Sequence, residues 1–172
     1  MDGLDYYKSV TALVDAGHDA LPAVRAGMGH PNWRIRRGCA AVLVQLYDTA
    51  SLQRLVLLTR DPKKKVRKMA TLSLGLVRPT ESANPIDVVP HLAYNALNDP
   101  AVRVRRIAVA MLGFQKPQRR IVRLLRKILV TEQDPRAIQF AQWGLTQHQN
   151  VAARKSQCEP IDRSFSLLPY EP

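Results

Sequence analysis

The sequence predicts an all-α fold, an α-α superhelix in which about four helix pairs stack behind an N-terminal capping helix. Three observations carry that prediction. A motif recurs at intervals of 31, 38 and 35 residues, apolar residues within each copy keep helical spacing, and the composition is 46% hydrophobic but only 6% aromatic. Abundant Ala, Leu and Val suit thin layers of close-packed helices better than a β-sandwich. At 172 residues the chain is expected to form one domain with enough apolar content for its own core.

The motif appears when His30-Pro31, Asp61-Pro62 and Asp99-Pro100 are set in register. Five residues on stand Ile35-Arg36, Val66-Arg67 and Val104-Arg105; nine on, Cys39, Ala70 and Ala108; thirteen on, Leu43, Leu74 and Leu112, with Gly75 and Gly113 after two of them. A fourth copy begins at Asp134-Pro135 and is two residues shorter, which puts Ala137, Ala141 and Leu145 at the valine, alanine and leucine positions. Steps of four, four and three from Val66 through Ala70 and Leu74 to Val77 trace one buried helical face. The leading Asp can accept backbone N–H groups at the helix start, and the Pro after it fits a first turn that needs no donor. Ahead of these helices lie further apolar-periodic stretches at 20–28, 52–59, 88–97 and 121–130. Each repeat is therefore a helix pair, A then B. A lone pair cannot bury both its faces, so the pairs must stack.

On these residues the chain resembles the HEAT-repeat superfamily, in particular the short HEAT-like repeats of the phycobilin-lyase type, over about residues 18–148. The resemblance implies a ladder of hydrogen bonds between successive B helices, made by the signature Asp and Arg. It assigns that role to Asp61, Arg67, Asp99 and Arg105, with Arg36 keeping its place and His30 standing where the first acid would be, so the first rung is expected to be weak. Residues 4–16, with Leu4, Tyr7, Val10, Leu13 and Val14, are expected to form the capping helix, and 79–87 the longest internal loop. The repeat domain should span 1–149. Residues 150–172 lack a helical period and hold three prolines, which predicts an irregular C-terminal tail whose Phe165, Leu167 and Leu168 could pack back on the last repeat.

The net charge of +12 is concentrated in the middle of the chain. Residues 25–127 hold 21 Lys/Arg against five acids, whereas the two ends are mildly acidic. Beyond the ladder arginines, the B-helix starts carry Arg34, Arg37, Lys63, Lys64, Lys65, Lys68, Arg103 and Arg106. Stacked in parallel, they should form a stripe with a step of about 10 Å. A second basic group, Arg119, Arg120, Arg123, Arg126 and Lys127, lies on an amphipathic stretch opposite Ile121, Leu124, Leu125 and Ile128. This pattern predicts a non-catalytic scaffold that binds nucleic acid or another polyanion through phosphate contacts. The alternative is a protein-interaction scaffold for an acidic partner. A third reading, similarity to HEAT-like alkylpurine DNA glycosylases, would need a carboxylate among Asp87, Asp99 and Asp134, of which the last two are better explained as helix caps. Trp33 could stack on a base, although covering its own turn is the commoner role, and Phe140 and Trp143 should close the core.

Motifs for catalysis are missing. There is no H-E-x-x-H, no His-Glu pair of the kind that binds iron in HEAT-repeat hydroxylases, no G-x-S-x-G and no P-loop. His18, His30, His91 and His148 lack ligand spacing. No catalytic residue, metal, cofactor or small-molecule substrate is therefore expected. The start MDGLDYYK has no basic segment followed by an apolar run, and no stretch of about 18 uncharged apolar residues occurs, so a cytoplasmic protein without a membrane partner is expected. Cys39 should be a core thiol and Cys158 a tail thiol, both reduced.

Overall fold

The computed structural model describes residues 3–46, 48–76 and 86–154. In chain order its helices are α1 (Gly3–Asp15), α2 (Leu21–Gly27), α3 (Trp33–Leu46), α4 (Leu52–Leu58), α5 (Lys64–Leu76), α6 (Val89–Asn98), α7 (Val102–Phe114), α8 (Arg119–Thr131) and α9 (Pro135–Arg154). No strand occurs among the described residues. The pairs α2/α3, α4/α5, α6/α7 and α8/α9 are the four repeats, and α1 precedes them. Helix α9 continues to Arg154, five residues past the expected end of the repeat domain at 149. Val77, residues 79–85 of the long loop, the side chain of Leu4, Cys158, Phe165, Leu167, Leu168 and the rest of the tail from 155 lie outside the described residues.

The turn before each B helix follows from the residue at the head of the motif. Asp61 Oδ1 accepts the Lys63 N–H at 2.8 Å, and Asp99 Oδ1 accepts the Ala101 N–H at 2.8 Å. At the first repeat His30 Nδ1 accepts the Asn32 N–H at 2.9 Å, and Asn32 Oδ1 then caps Arg34 N–H at 3.0 Å. An acceptor two residues ahead thus orders the first three turns, whether carboxylate or imidazole, and in the fourth Asp134 Oδ1 accepts the Ala137 N–H at 2.9 Å. In the first three repeats the helix begins one residue after the Asn32, Lys63 or Ala101 N–H.

Behind these turns Val66, Ala70 and Leu74 on α5 and Val104, Ala108 and Leu112 on α7 are fully buried. Truncating a fully enclosed leucine such as Leu74 to Ala would cost about 3 kcal/mol. In the first and last repeats Ile35, at the valine position, and Leu145, at the leucine position, are only half-buried.

The B helices α3, α5, α7 and α9 pack each on the next and form the continuous layer of the solenoid. Small residues allow the approach: a methyl group on Gly113 would meet the Trp143 ring at 2.5 Å and the Gly144 Cα at 3.1 Å. Side chains tie successive B helices through carbonyls, with Ser73 Oγ donating to Ala40 O at 2.6 Å and Gln115 Nε2 to Gly75 O at 2.9 Å, and His148 Nε2 lies 3.2 Å from Leu112 O. Helix α1 lies on α3 as a further B helix would, with Tyr6 and Val10 over Gly38. The A helices touch one another sparsely and form the more widely splayed outer layer.

Candidate interaction surface

Three positions in each B-helix start carry the charge, and the structure gives each a different task. The sixth residue after the motif head is the ladder arginine. Arg36 Nε donates to Asp61 Oδ2 at 2.6 Å and Arg67 Nε to Asp99 Oδ2 at 2.7 Å, each with a second N–H on the other carboxylate oxygen. Both arginines also donate to the backbone carbonyl at the head of their own repeat, His30 O at 2.7 Å and Asp61 O at 3.0 Å. Each rung therefore runs from one repeat to the next.

That geometry corrects two expectations. The first rung is complete, because Arg36 pairs with Asp61 and not with an acid of its own repeat; what His30 lacks is an arginine ahead of it. Arg105 does not pair with the Asp99 carboxylate, which Arg67 holds. Arg105 Nε donates instead to Glu132 Oε2 at 2.7 Å, while its Nη1 reaches the Asp99 carbonyl at 3.1 Å. The shortened fourth repeat shifts the register: Glu132 takes the rung, and Asp134 binds Arg106 through two hydrogen bonds of 2.7 Å. At the other end Arg25 of α2 pairs with Asp48 at 2.7 Å, and Ser51 Oγ also donates to that carboxylate. Glu132, Asp48 and Arg25 sit outside the repeated motif, so its register could not reveal them.

These pairs shift the carboxyls as expected of hydrogen-bonded anions. Arg106 holds Asp134 down to about 2. The Arg105 fork holds Glu132 below its usual range, and Arg120 does the same for Asp87. At Asp48 burial pushes upward, and the bonds from Arg25 and Ser51 outweigh it. Burial raises the Cys39 thiol, which lies free in the core.

The fourth residue after the motif head is Arg34, Lys65 or Arg103, and all three are exposed. Lys63 and Lys64 are exposed beside them. Trp33 joins the first two repeats here, with the Arg34 guanidinium 4.9 Å and the Lys65 ammonium 5.6 Å from its ring centre. The seventh residue is Arg37, Lys68 or Arg106, each half-buried; Arg37 covers the Tyr6 ring at 4.3 Å.

The second basic group lies apart from this row. Arg119, Arg120, Arg123, Arg126 and Lys127 are exposed on α8, an A helix of the outer layer. Arg120 pairs there with Asp87 at 2.5 Å. The predicted site residues are thus divided between two layers, and Arg106 and Arg120 each hold a carboxylate. Asp87, Asp99 and Asp134 are each engaged by an arginine. Trp143 is half-buried against Phe114, ring centres 4.9 Å apart, and Phe140 packs on the core. Among the described residues no three His, Cys, Asp or Glu come together to hold a metal, and no helix is long and apolar enough to cross a membrane.

The family profile of HEAT repeats matches residues 5–75. No curated protein matches the chain. Among solved structures, a chain from the complex of CpcE and CpcF of phycocyanin lyase from Nostoc sp. PCC7120 superposes with a TM-score of 0.74 at 19% identity, covering 83% of this chain and 90% of that one. At that identity the likeness concerns the fold. Residues 5–75 thus match HEAT repeats, and the repeated signature and stacked helix pairs give the chain a HEAT-like helical solenoid fold.

Proposed function

We propose that the chain is a non-catalytic scaffold that holds an acidic protein partner along its B-helix starts. The observation that carries this reading is the exposed row Arg34, Lys65 and Arg103, flanked by Lys63 and Lys64, at one equivalent position of three successive repeats. Deeper arginines are consumed by the ladder; this row lies outside it and stays exposed. A protein is favoured over a nucleic acid because the positive charge does not form one track. Part of it lies on α8 in the outer layer, and Arg106 and Arg120 already hold carboxylates. A polynucleotide needs many phosphate contacts along a continuous path. That the structurally similar chain comes from a complex of two proteins supports a protein partner as well.

The test is affinity capture with the full chain, with and without nuclease, against the triple variant Arg34→Gln, Lys65→Gln, Arg103→Gln. A partner retained after nuclease and lost with the variant is expected. Nuclease-sensitive capture, or duplex binding at about 50 mM salt that falls steeply as salt is raised, would restore the nucleic-acid reading.

A further inference from the structure

The second residue of every B helix is a cation. Arg34 of α3, Lys65 of α5, Arg103 of α7 and Arg136 of α9 each stand directly before the residue at the valine position, Ile35, Val66, Val104 or Ala137, and all four are exposed. The row of the first three repeats therefore continues into the shortened fourth. Its register is that of the core, since Val66, Val104 and Ala137 are fully buried. The B helices α3, α5, α7 and α9 pack each on the next, so no layer interrupts it.

Helix electrostatics disfavour a cation at this position. A helix start carries the positive end of its dipole and is stabilised by acids, yet none of the four B helices has an acid in its first turn. The acids just ahead of them, Asp61, Asp99 and Asp134, are each held by an arginine of the preceding repeat. At the first end of the row Trp33 is half-buried, with Arg34 and Lys65 4.9 and 5.6 Å from its ring centre. One open aromatic edge thus lies between two cations.

Spacing selects the shape of the partner. Packed helices lie about 8–10 Å apart, closer where the contact residues are small. The B layer is of the close kind: a methyl group on Gly144 would meet the Gly113 Cα at 3.2 Å, and one on Gly75 would meet Met111 Cβ at 2.4 Å. Three intervals of about 8–9 Å give a row of about 26 Å. Side chains on one face of a strand recur every two residues and would cover about 20 Å in three steps. Seven-residue steps of an α-helix would cover about 31 Å. Three-residue steps of a polyproline II segment cover about 28 Å, the nearest match. Proline-rich segments of this form also dock on exposed aromatic rings, which Trp33 supplies. We infer that the row takes an extended, acidic, proline-rich segment of the partner in the polyproline II form. One carboxylate every third residue then meets Arg34, Lys65, Arg103 and Arg136 in turn. The inference rests on the reading of this row as a protein-binding surface and adds the form of what it binds.

The probes are labelled (Glu-Pro-Pro)n peptides of two to six repeats, titrated with the full chain by fluorescence anisotropy at about 20 mM salt, where screening is weak. Affinity should rise with each repeat up to four and then level off, because four layers carry the row. Arg136→Gln and Arg34→Gln, at opposite ends, should each move that level to three repeats. A peptide of the same composition as the four-repeat probe, with its glutamates grouped, should bind at least about threefold more weakly. So should a helical peptide with four glutamates seven apart. Affinity that keeps rising beyond four repeats, equal binding of the spaced and grouped peptides, or a level that neither end variant moves overturns the proposal. Preference for the helical peptide overturns it and assigns the row to an acidic helix. Binding of a single-stranded oligonucleotide with none of the peptides bound overturns it together with the protein-scaffold reading. If nuclease-resistant capture of a protein is lost with the Arg34, Lys65 and Arg103 triple variant but no peptide binds, the scaffold reading stands and the extended segment alone is overturned.

Discussion

Arg67 and Asp99 join the second repeat to the third through two parallel hydrogen bonds, Nε to Oδ2 at 2.7 Å and Nη2 to Oδ1 at 3.0 Å. The remaining guanidinium nitrogen donates to Asp61 O, so one side chain contacts the turn of its own repeat and the turn of the next. Asp99 is almost fully enclosed and also orders the Ala101 turn. One planar fork therefore sets the spacing of two layers and the start of a helix.

Arg67→Ala leaves a buried carboxylate without its cation and should cost about 2–3 kcal/mol of stability. Arg67→Lys should recover less than half of that, because a single ammonium cannot reach both carboxylate oxygens and the carbonyl together. Urea unfolding of the two variants checks this. Equal stability of the lysine variant and the parent would show that charge alone, without the fork, holds the rung.

The third rung is shifted, and a double-mutant cycle can read the shift. Arg105→Ala with Glu132→Gln should show a coupling of about 1–2 kcal/mol, since each single change breaks the same pair. Arg105→Ala with Asp99→Asn should be close to additive, because Arg105 touches only the Asp99 carbonyl. Strong coupling in the second cycle and none in the first would restore the register that the motif alone suggests.

Comparison of these rungs shows where the sequence was informative. The Asp-Pro heads and the apolar steps fix helix pairs and stacking because one repeat cannot bury its own faces, and the periodicity survives in every copy. The ladder arginines follow from the same register. Their partners do not, since a rung crosses to a neighbouring repeat and its acid depends on the length of the intervening A helix and turn. Hence Glu132 replaces Asp134 where the repeat shortens, and Asp48, in a turn outside the motif, serves Arg25. The two-layer division of the basic residues was hidden for a similar reason. Charge counted along the chain adds Arg123 to Lys64, although one stands on an A helix and the other at a B-helix start.

Stability should fall with acid in a defined window. Asp134 is held at about 2, below the ordinary carboxyl value near 4. A depressed folded pKa contributes stability that is present above the unfolded value and disappears as pH falls through the folded one. The loss therefore runs from about pH 4 to about pH 2, and Glu132, Asp48 and Asp87 contribute in the same direction. Asp134→Asn should be less stable than the parent at pH 7, and the gap should narrow on acidification. A gap unchanged between pH 7 and pH 2.5 in thermal melts would show that the Arg106 pair contributes nothing through its charge.

Gly75 tests the close packing of the B layer. As a glycine within α5 it lowers helix stability, and replacement by Ala in an open helix would gain about 1 kcal/mol. Here the added methyl would lie 2.4 Å from Met111 Cβ and 2.5 Å from its Cγ. The Cβ cannot swing aside as a side-chain tip can, so α7 must retreat, and the Gln115 bond to Gly75 O lengthens with it. Overpacking of this kind costs about 1–3 kcal/mol, so Gly75→Ala should destabilise by roughly 1 kcal/mol net. Gly29, whose added methyl would meet nothing closer than 3.8 Å, is the control and should tolerate Ala without loss. Adding Met111→Ala to Gly75→Ala removes the Cγ and Sδ contacts but keeps the Cβ, so rescue should be partial at best. If Gly75→Ala is as stable as the parent or more so in urea unfolding, the α5–α7 contact is looser than this geometry requires.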